Sequence, residues 1–151
     1  MTKDLPVRIR DLRAGDINFV LKSWLKSYKE SMFATNIPGA VYFDEHKQVI
    51  MGELARGSEI VVAVNEEDDD QIIGFLCFDR TRLGTCLIVH YIYVKSPFRK
   101  MGVGRVLMDE AIGRCDHNPD LPIVITHSSR DFGRFWPSYA VYNPYLLGAI
   151  R

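Results

Sequence analysis

The sequence predicts an α/β domain built on one mixed, mostly antiparallel sheet flanked by helices, and three observations predict it. Two stretches near the N-terminus place apolar residues at helical spacing. Three strand-like runs then follow one another between residues 60 and 94, as in an antiparallel meander. A strand–helix–strand order from Cys86 to Thr126 closes the pattern, as a parallel crossover does.

Val7-Arg8-Ile9-Arg10 alternates apolar and polar side chains, the signature of a half-buried strand. Asp11 to Asp16 reads as a turn, with Asp16 placed to cap the helix that follows. That helix carries Phe19, Val20, Trp24, Leu25 and Tyr28 on one stripe, and Asn36-Ile37-Pro38-Gly39 breaks it. A second helix is expected from Asp44 to Leu54, closing near Gly57. Ile60-Val61-Val62-Ala63-Val64 is β-branched and reads as a strand. The acidic run Glu66-Glu67-Asp68-Asp69-Asp70 is expected to be a solvated hairpin turn, since adjacent carboxylates without a spaced loop rarely converge on a cation. Ile72 to Phe78 is the next strand. Cys86 to Val94, long, apolar and aromatic, has the character of a central one. Gly102 to Arg114 reads as a helix with apolar residues at 103, 106, 107, 108, 111 and 112. Pro119 and Pro122 bracket a loop, and Ile123-Val124-Ile125-Thr126 is a further buried strand. From Arg130 onward the chain is aromatic-rich and resists assignment.

A length of 151 residues, 47% of them hydrophobic, suits a single domain over residues 1–151 with a sizeable core. Lys plus Arg and Asp plus Glu balance at 19 each, so net charge argues for neither a nucleic-acid nor a membrane partner. Cys77, Cys86 and Cys115 are odd in number and lack CxxC spacing. They point away from structural zinc and a disulfide framework and toward a reducing, cytoplasmic setting. The polar start Met1-Thr2-Lys3-Asp4 leads into no signal peptide or membrane span.

The densest chemistry lies between Ile92 and Arg105: a central strand, a short turn, then glycines at the start of a helix. Amides at a helix start lack intrahelical partners, and the helix dipole favours anions there. Glycines allow a phosphate to approach the main chain closely, and Arg99, Lys100 and Arg105 add positive charge, so a diphosphate is the natural occupant. A Walker loop would need Gly-Lys-Ser/Thr, and here Arg105-Val106 follows Gly104. A dinucleotide fingerprint would need a third glycine, and that position is Leu107. The plainer alternative is that Gly102 and Gly104 only cap a turn.

Arg99-x-x-Gly102-x-Gly104, preceded by Tyr93-Val94 and Pro97-Phe98, resembles the acetyl-CoA signature of the GNAT superfamily of N-acetyltransferases. The resemblance is tight over Val89 to Leu107, is supported by element order from Val7 to about Thr126, and is weak beyond. It implies a GNAT-like fold and acetyl-CoA as acyl donor. Main-chain groups of Ile92, Tyr93 and Val94 would pair with the pantetheine arm like an added strand. Amides across Lys100, Met101, Gly102, Val103, Gly104 and Arg105, with the Arg99 side chain, would hold the pyrophosphate, and no metal is implied. The reaction would be direct attack of a primary amine, on a small molecule or a protein, on the thioester. The three cysteines would then be core residues.

Such an attack needs the amine unprotonated and the departing thiolate stabilised. His90 is the candidate base: four residues before Val94, it shares a face with Ile92 and Val94 unless a bulge intervenes. It is similar in position to a strand histidine that some arylalkylamine acetyltransferases use to relay the substrate proton. The competing reading is a structural histidine. His127 is an alternate base; His46 and His117, in polar surroundings, are expected to be exposed. The family's general acid, a tyrosine after the strand at Ile123–Thr126, falls nearest Tyr139 and then Tyr142, with Ser128 and Ser129 as other hydroxyls. Neither tyrosine sits in the family's usual pattern, and Pro137 would interrupt a helix there. Trp24, Tyr28, Glu30 and Tyr42 could line the acceptor pocket, with Glu30 drawing a cationic amine; core packing is the alternative for Trp24 and Tyr28. Only residues 139–150 remain where the family usually adds two strands, so the acceptor wall is either incomplete or completed by a second subunit of a homodimer. The rival to an enzyme is a catalytically inactive CoA-binding or assembly module on the same scaffold.

Overall fold

The computed structural model describes residues 6–29, 38–80, 87–126 and 140–142. Its strands are β1 (Val7–Asp11), β2 (Glu59–Asn65), β3 (Asp68–Arg80), β4 (Leu87–Val94), β5 (Ile123–Ile125) and β6 (Ala140–Tyr142). Its helices are α1 (Ile17–Lys29), α2 (Gly39–Ala55) and α3 (Val103–Cys115). The strands form one sheet whose spatial order follows the sequence. It is antiparallel from β1 through β4 and parallel from β4 through β6. This is the mixed, mostly antiparallel sheet that the sequence predicts.

Strand alternation divides the core in two. Val61, Ala63, Leu76, Phe78 and Val89 turn to one face and pack with Val103, Leu107 and Ala111 of α3. Val62, Val64, Phe75, Cys77 and Tyr91 turn to the other and meet Val20 and Trp24 of α1 and Ile50 of α2. Each large side chain fully buried this way stabilises the fold by roughly 1.5–3 kcal/mol. Helices therefore cover both faces. Cys77 and Cys115 are buried free thiols; Cys86 lies outside the described residues. Among the described residues, no helix is long and apolar enough to cross a membrane.

Three local expectations are corrected. α2 begins at Gly39, five residues before Asp44, because Pro38 presets an extended entry (φ −54°, ψ 135°) and the helix starts directly behind it. The acidic run is a turn only at Glu66 and Glu67; Asp68 to Asp70 are strand residues of β3. Asn65 tightens that turn by accepting the Glu67 amide at 2.9 Å, and the Asp69 carboxylate on the strand pairs with Arg8 and Arg13. Asp16 does not cap α1. It closes a 3-10 turn over Ala14–Asp16 by accepting the Arg13 amide at 2.8 Å, and grips the buried Arg10 guanidinium at 2.7 and 3.1 Å.

Two irregularities shape the centre of the sheet. Cys77 pairs with Tyr91 and Phe78 with Val89, which leaves His90 as the extra residue of a bulge in β4. Gly74 of β3 lies so close to its neighbour that a Cβ there would meet the Tyr93 carbonyl oxygen at 2.5 Å.

Candidate active site

β4 is paired with β5 at Ile88 and Val89 only, with one further hydrogen bond from the Thr126 amide to the Val89 carbonyl at 3.0 Å. From His90 to Val94 its outer edge has no strand partner among the described residues. Backbone groups alternate along an antiparallel strand. The Tyr93 carbonyl faces Gly74, and the Lys95 amide donates to the Ile73 carbonyl at 2.8 Å. The main-chain groups of Ile92 and Val94 therefore point to the open edge, and those of Tyr93 belong to the pairing with β3.

Beyond β4, a 3-10 turn over Ser96–Phe98 leads into the start of α3. Lys100 and Gly102 take left-handed φ values of 65° and 90°. Gly102 is the N-cap of α3, and its carbonyl accepts the Val106 amide at 3.1 Å. Val103 and Gly104 are buried, which fixes the helix start against the sheet, while Arg99, Lys100, Met101 and Arg105 are exposed around it. The first amides of α3 consequently point outward from a rigid turn with three cations at its rim. This is a donor set suited to a diphosphate. Arg99 does more than add charge: its Nε donates to the Val94 carbonyl at 2.8 Å, and its guanidinium lies 6.0 Å from the Tyr93 ring centroid. It ties the turn to the open edge.

His90 is 1% exposed, and the bulge turns it to the α1/α2 face, away from the face of Ile92 and Val94 where strict alternation would place it. Its Nδ1 is 2.9 Å from Thr126 Oγ1. Its Nε2 is 3.2 Å from Glu53 Oε2, within ion-pair range but off the line of a hydrogen bond. Glu53, on α2 and fully buried, is held in turn by the Arg56 guanidinium at 2.7 Å and the Ser58 hydroxyl at 3.2 Å. Burial pushes the His90 pKa down; the Glu53 charge opposes that shift and the Arg56 charge adds to it. His90 is then a neutral imidazole at neutral pH, and its neighbours assign the tautomer: Nδ1 accepts from Thr126, and Nε2–H faces Glu53.

Glu53, Asp79 and His90 could each offer one atom to a metal ion, all within 4.8 Å of one another. A cation there would share Glu53 with Arg56, and repulsion between the two positive charges opposes it.

Sequence reasoning missed Glu53 and Thr126 as partners of His90. Glu53 follows Ile50 by three residues and so lies on the buried stripe of α2; a charge in that register was the available signal.

The acceptor candidates separate. Trp24 is fully buried and stacks on Tyr91 with centroids 5.0 Å apart, which is the core alternative. Tyr28 is half-buried, stacks on His46 at 5.1 Å and meets Tyr91 edge-on at 6.0 Å. Tyr42 is buried, stacks on His46 at 5.4 Å, and donates to the Leu25 carbonyl at 2.7 Å. His46 and His117, expected to be exposed, are both half-buried. His46 stacks with Tyr28 and Tyr42, and His117 accepts the Leu87 amide at 2.9 Å. Tyr142 lies on β6, opposite Ile125, instead of on a helix. Glu30, His127, Ser128, Ser129 and Tyr139 lie outside the described residues. A cleft of about 690 Å³, lined by Arg13, Phe19, Asp68 and Asp70 among others, touches the β4–α3 segment only through Lys95 and does not reach His90.

The model of the acetyltransferase (GNAT) family matches residues 21–134, three-quarters of the chain. Solved structures share the fold. A possible acetyltransferase from Clostridium difficile 630 is 17% identical with a TM-score of 0.56, over 92% of this chain and 80% of that one. The PaiA N-acetyltransferase of Thermoplasma acidophilum, in complex with coenzyme A, is 18% identical with a TM-score of 0.55, over 74% of this chain and 73% of that one. A GNAT-superfamily phosphinothricin acetyltransferase from Sinorhizobium meliloti, in complex with AcCoA, is 22% identical with a TM-score of 0.53, over 74% of this chain and 60% of that one. A comparison with curated proteins finds no match.

Proposed function

The chain belongs to the acetyltransferase (GNAT) family, and on that premise we propose that it transfers an acetyl group from acetyl-CoA to a primary amine by direct attack on the thioester. The observation that carries the proposal is the outward-facing start of α3 set beside the open edge of β4. In this reading the amides from Lys100 to Arg105 take the pyrophosphate, and Ile92 and Val94 offer main-chain groups to the pantetheine amides. Arg99 and Tyr93 hold that edge in shape through the Val94 carbonyl and the ring contact. The bound donor supplies the acyl group as a thioester. His90, neutral because it is buried, takes up the amine proton. Tyr139 and Tyr142 are the candidates for protonating the thiolate, and Tyr28 and Glu30 for the acceptor wall.

A second reading rests on a specific observation: His90 is 1% exposed with protein groups at both ring nitrogens, as in a structural histidine of a non-catalytic CoA-binding module. Calorimetry with acetyl-CoA, followed by thiol release with alkylamines, arylalkylamines and lysine peptides, separates the two. Binding with turnover supports the enzyme, binding without turnover across the panel supports the module, and no binding defeats both. Gly102→Val should abolish acetyl-CoA binding while leaving the circular dichroism spectrum unchanged, because a side chain at φ 90° is strained and would stand in the cradle. Retained affinity would move the pyrophosphate elsewhere.

A further inference from the structure

His90 has no ring nitrogen exposed to an acceptor; its partner Thr126, itself only 2% exposed, lies at the position where the outer edge of β4 opens. Thr126 follows β5, and its amide makes the last hydrogen bond between the two strands, to the Val89 carbonyl; beyond it the outer edge of β4 is open among the described residues. Its hydroxyl meets His90 Nδ1 at 2.9 Å, and the opposite nitrogen faces the buried Glu53 carboxylate.

We infer that Glu53, His90 and Thr126 form one proton relay running from the apex of the β4–β5 opening into the core. This rests on His90 being the base of the proposed reaction. The acceptor's ammonium group gives one proton to Thr126 Oγ1 as Thr126 gives its own to His90 Nδ1. Only N–H and O–H bonds form and break, and the proton returns by the same route to water. His90 becomes an imidazolium with both nitrogens protonated, and Glu53 supplies the opposite charge. Glu53 is thus a positioning residue, itself fixed by Arg56 and Ser58. The charged and titratable groups around the imidazole are Glu53 on α2, Arg56 at its C-terminal cap and Asp79 on β3.

The alternative is that the three side chains only satisfy one another in the core. Thr126→Val keeps the side-chain volume and loses the hydroxyl, whereas Thr126→Ser keeps the hydroxyl and loses one methyl group. The full chain is assayed with acetyl-CoA and the amine panel across pH, beside His90→Gln and Glu53→Gln. Thermal melts check folding, and long-range imidazole NMR reports the tautomer and titration of His90 without need of turnover.

A working relay predicts that Thr126→Val lowers kcat/KM as far as His90→Gln does, on the order of 100-fold, as expected for losing a general base. Thr126→Ser should restore most of it. Glu53→Gln should move the acid limb of the pH–rate profile and the His90 NMR titration to lower pH together, because the imidazolium loses its counter-charge. A folded Thr126→Val protein with full activity, or a His90 titration that ignores Glu53→Gln, overturns the relay. If His90→Gln flattens the acid limb while Thr126→Val does not, His90 remains the base and only the relay fails. If His90→Gln leaves rate and profile intact, the relay and the role of His90 as base both fall; if the panel shows binding without turnover, the relay falls together with the proposed transferase.

Discussion

Asp16 directs its carboxylate at Arg10 and accepts from the guanidinium at 2.7 and 3.1 Å. The pair is largely buried, the guanidinium also donates to the Asp69 carbonyl at 3.0 Å, and the hydrogen bond from Arg10 holds the Asp16 carboxyl below its ordinary pKa. Asp16→Asn should destabilise the protein by about 3 kcal/mol at neutral pH, since it leaves a buried cation uncompensated. A carboxyl whose folded pKa is depressed stabilises the fold above its unfolded pKa, and that stability is lost as pH falls through the folded value. Urea melts at pH 7 and in acid check this: the difference between wild type and variant should shrink in acid, and equal stability at pH 7 would show that the pair contributes nothing. The sequence offered Asp16 as a helix cap because capping is a local rule. Its actual partner depends on which strand lies beside the turn. The same limit explains the site. The proposed cradle residues and His90 are local to one strand–turn–helix segment, so a motif can nominate them. Glu53 and Thr126 reach His90 only through tertiary packing, and neither sits in a motif.

The elements were more legible than their irregularities. Apolar patterning located eight of the nine helices and strands described here, together with the order that implies a meander and a crossover. The start of α2 was missed because residues 39–43 carry no strong apolar stripe, and β6 because its surroundings are rich in aromatics without a period. The bulge at His90 cannot be read from β4 alone: it exists only as a mismatch in register with β3. That mismatch moves His90 to the face of Glu53, so strict alternation gives the wrong neighbours. Gly74 belongs to the same contact between strands. Gly74→Ala puts a Cβ 2.5 Å from the Tyr93 carbonyl oxygen, a backbone atom that can yield only by spreading β3 from β4. The expected cost is about 2 kcal/mol, typical of overpacking, read as a lower denaturation midpoint with an unchanged m-value. If acetyl-CoA binds along Ile92 and Val94 as proposed, spreading the strands should also weaken its binding. An alanine variant of wild-type stability would mean that the sheet relaxes freely there.

Across the whole molecule, a half-buried and a buried histidine, His46 and His90, on the α1/α2 side of the sheet tie stability to pH in one direction. Burial beside the stacked Tyr28 and Tyr42 rings lowers the His46 pKa to about 4, and burial lowers that of His90 as well. In the unfolded chain both titrate at about 6.5. As pH falls below that value the unfolded state binds protons that the folded state refuses, so stability declines, by up to about 1.4 kcal/mol per pH unit for each proton. The decline should set in below the unfolded value and ease near pH 4, where folded His46 takes up its own proton. Above pH 7 both groups are neutral in either state and the dependence should vanish. His46→Phe retains an aromatic ring between the two tyrosines but cannot titrate. Melts of that variant between pH 7 and pH 4 should show a shallower fall than wild type, with the remainder due to His90 and the carboxylates. An unchanged slope would place the acid sensitivity entirely outside the Tyr28–His46–Tyr42 stack. A slope that disappears altogether would mean that His90 binds protons equally in the folded and unfolded states, so that burial does not lower its pKa.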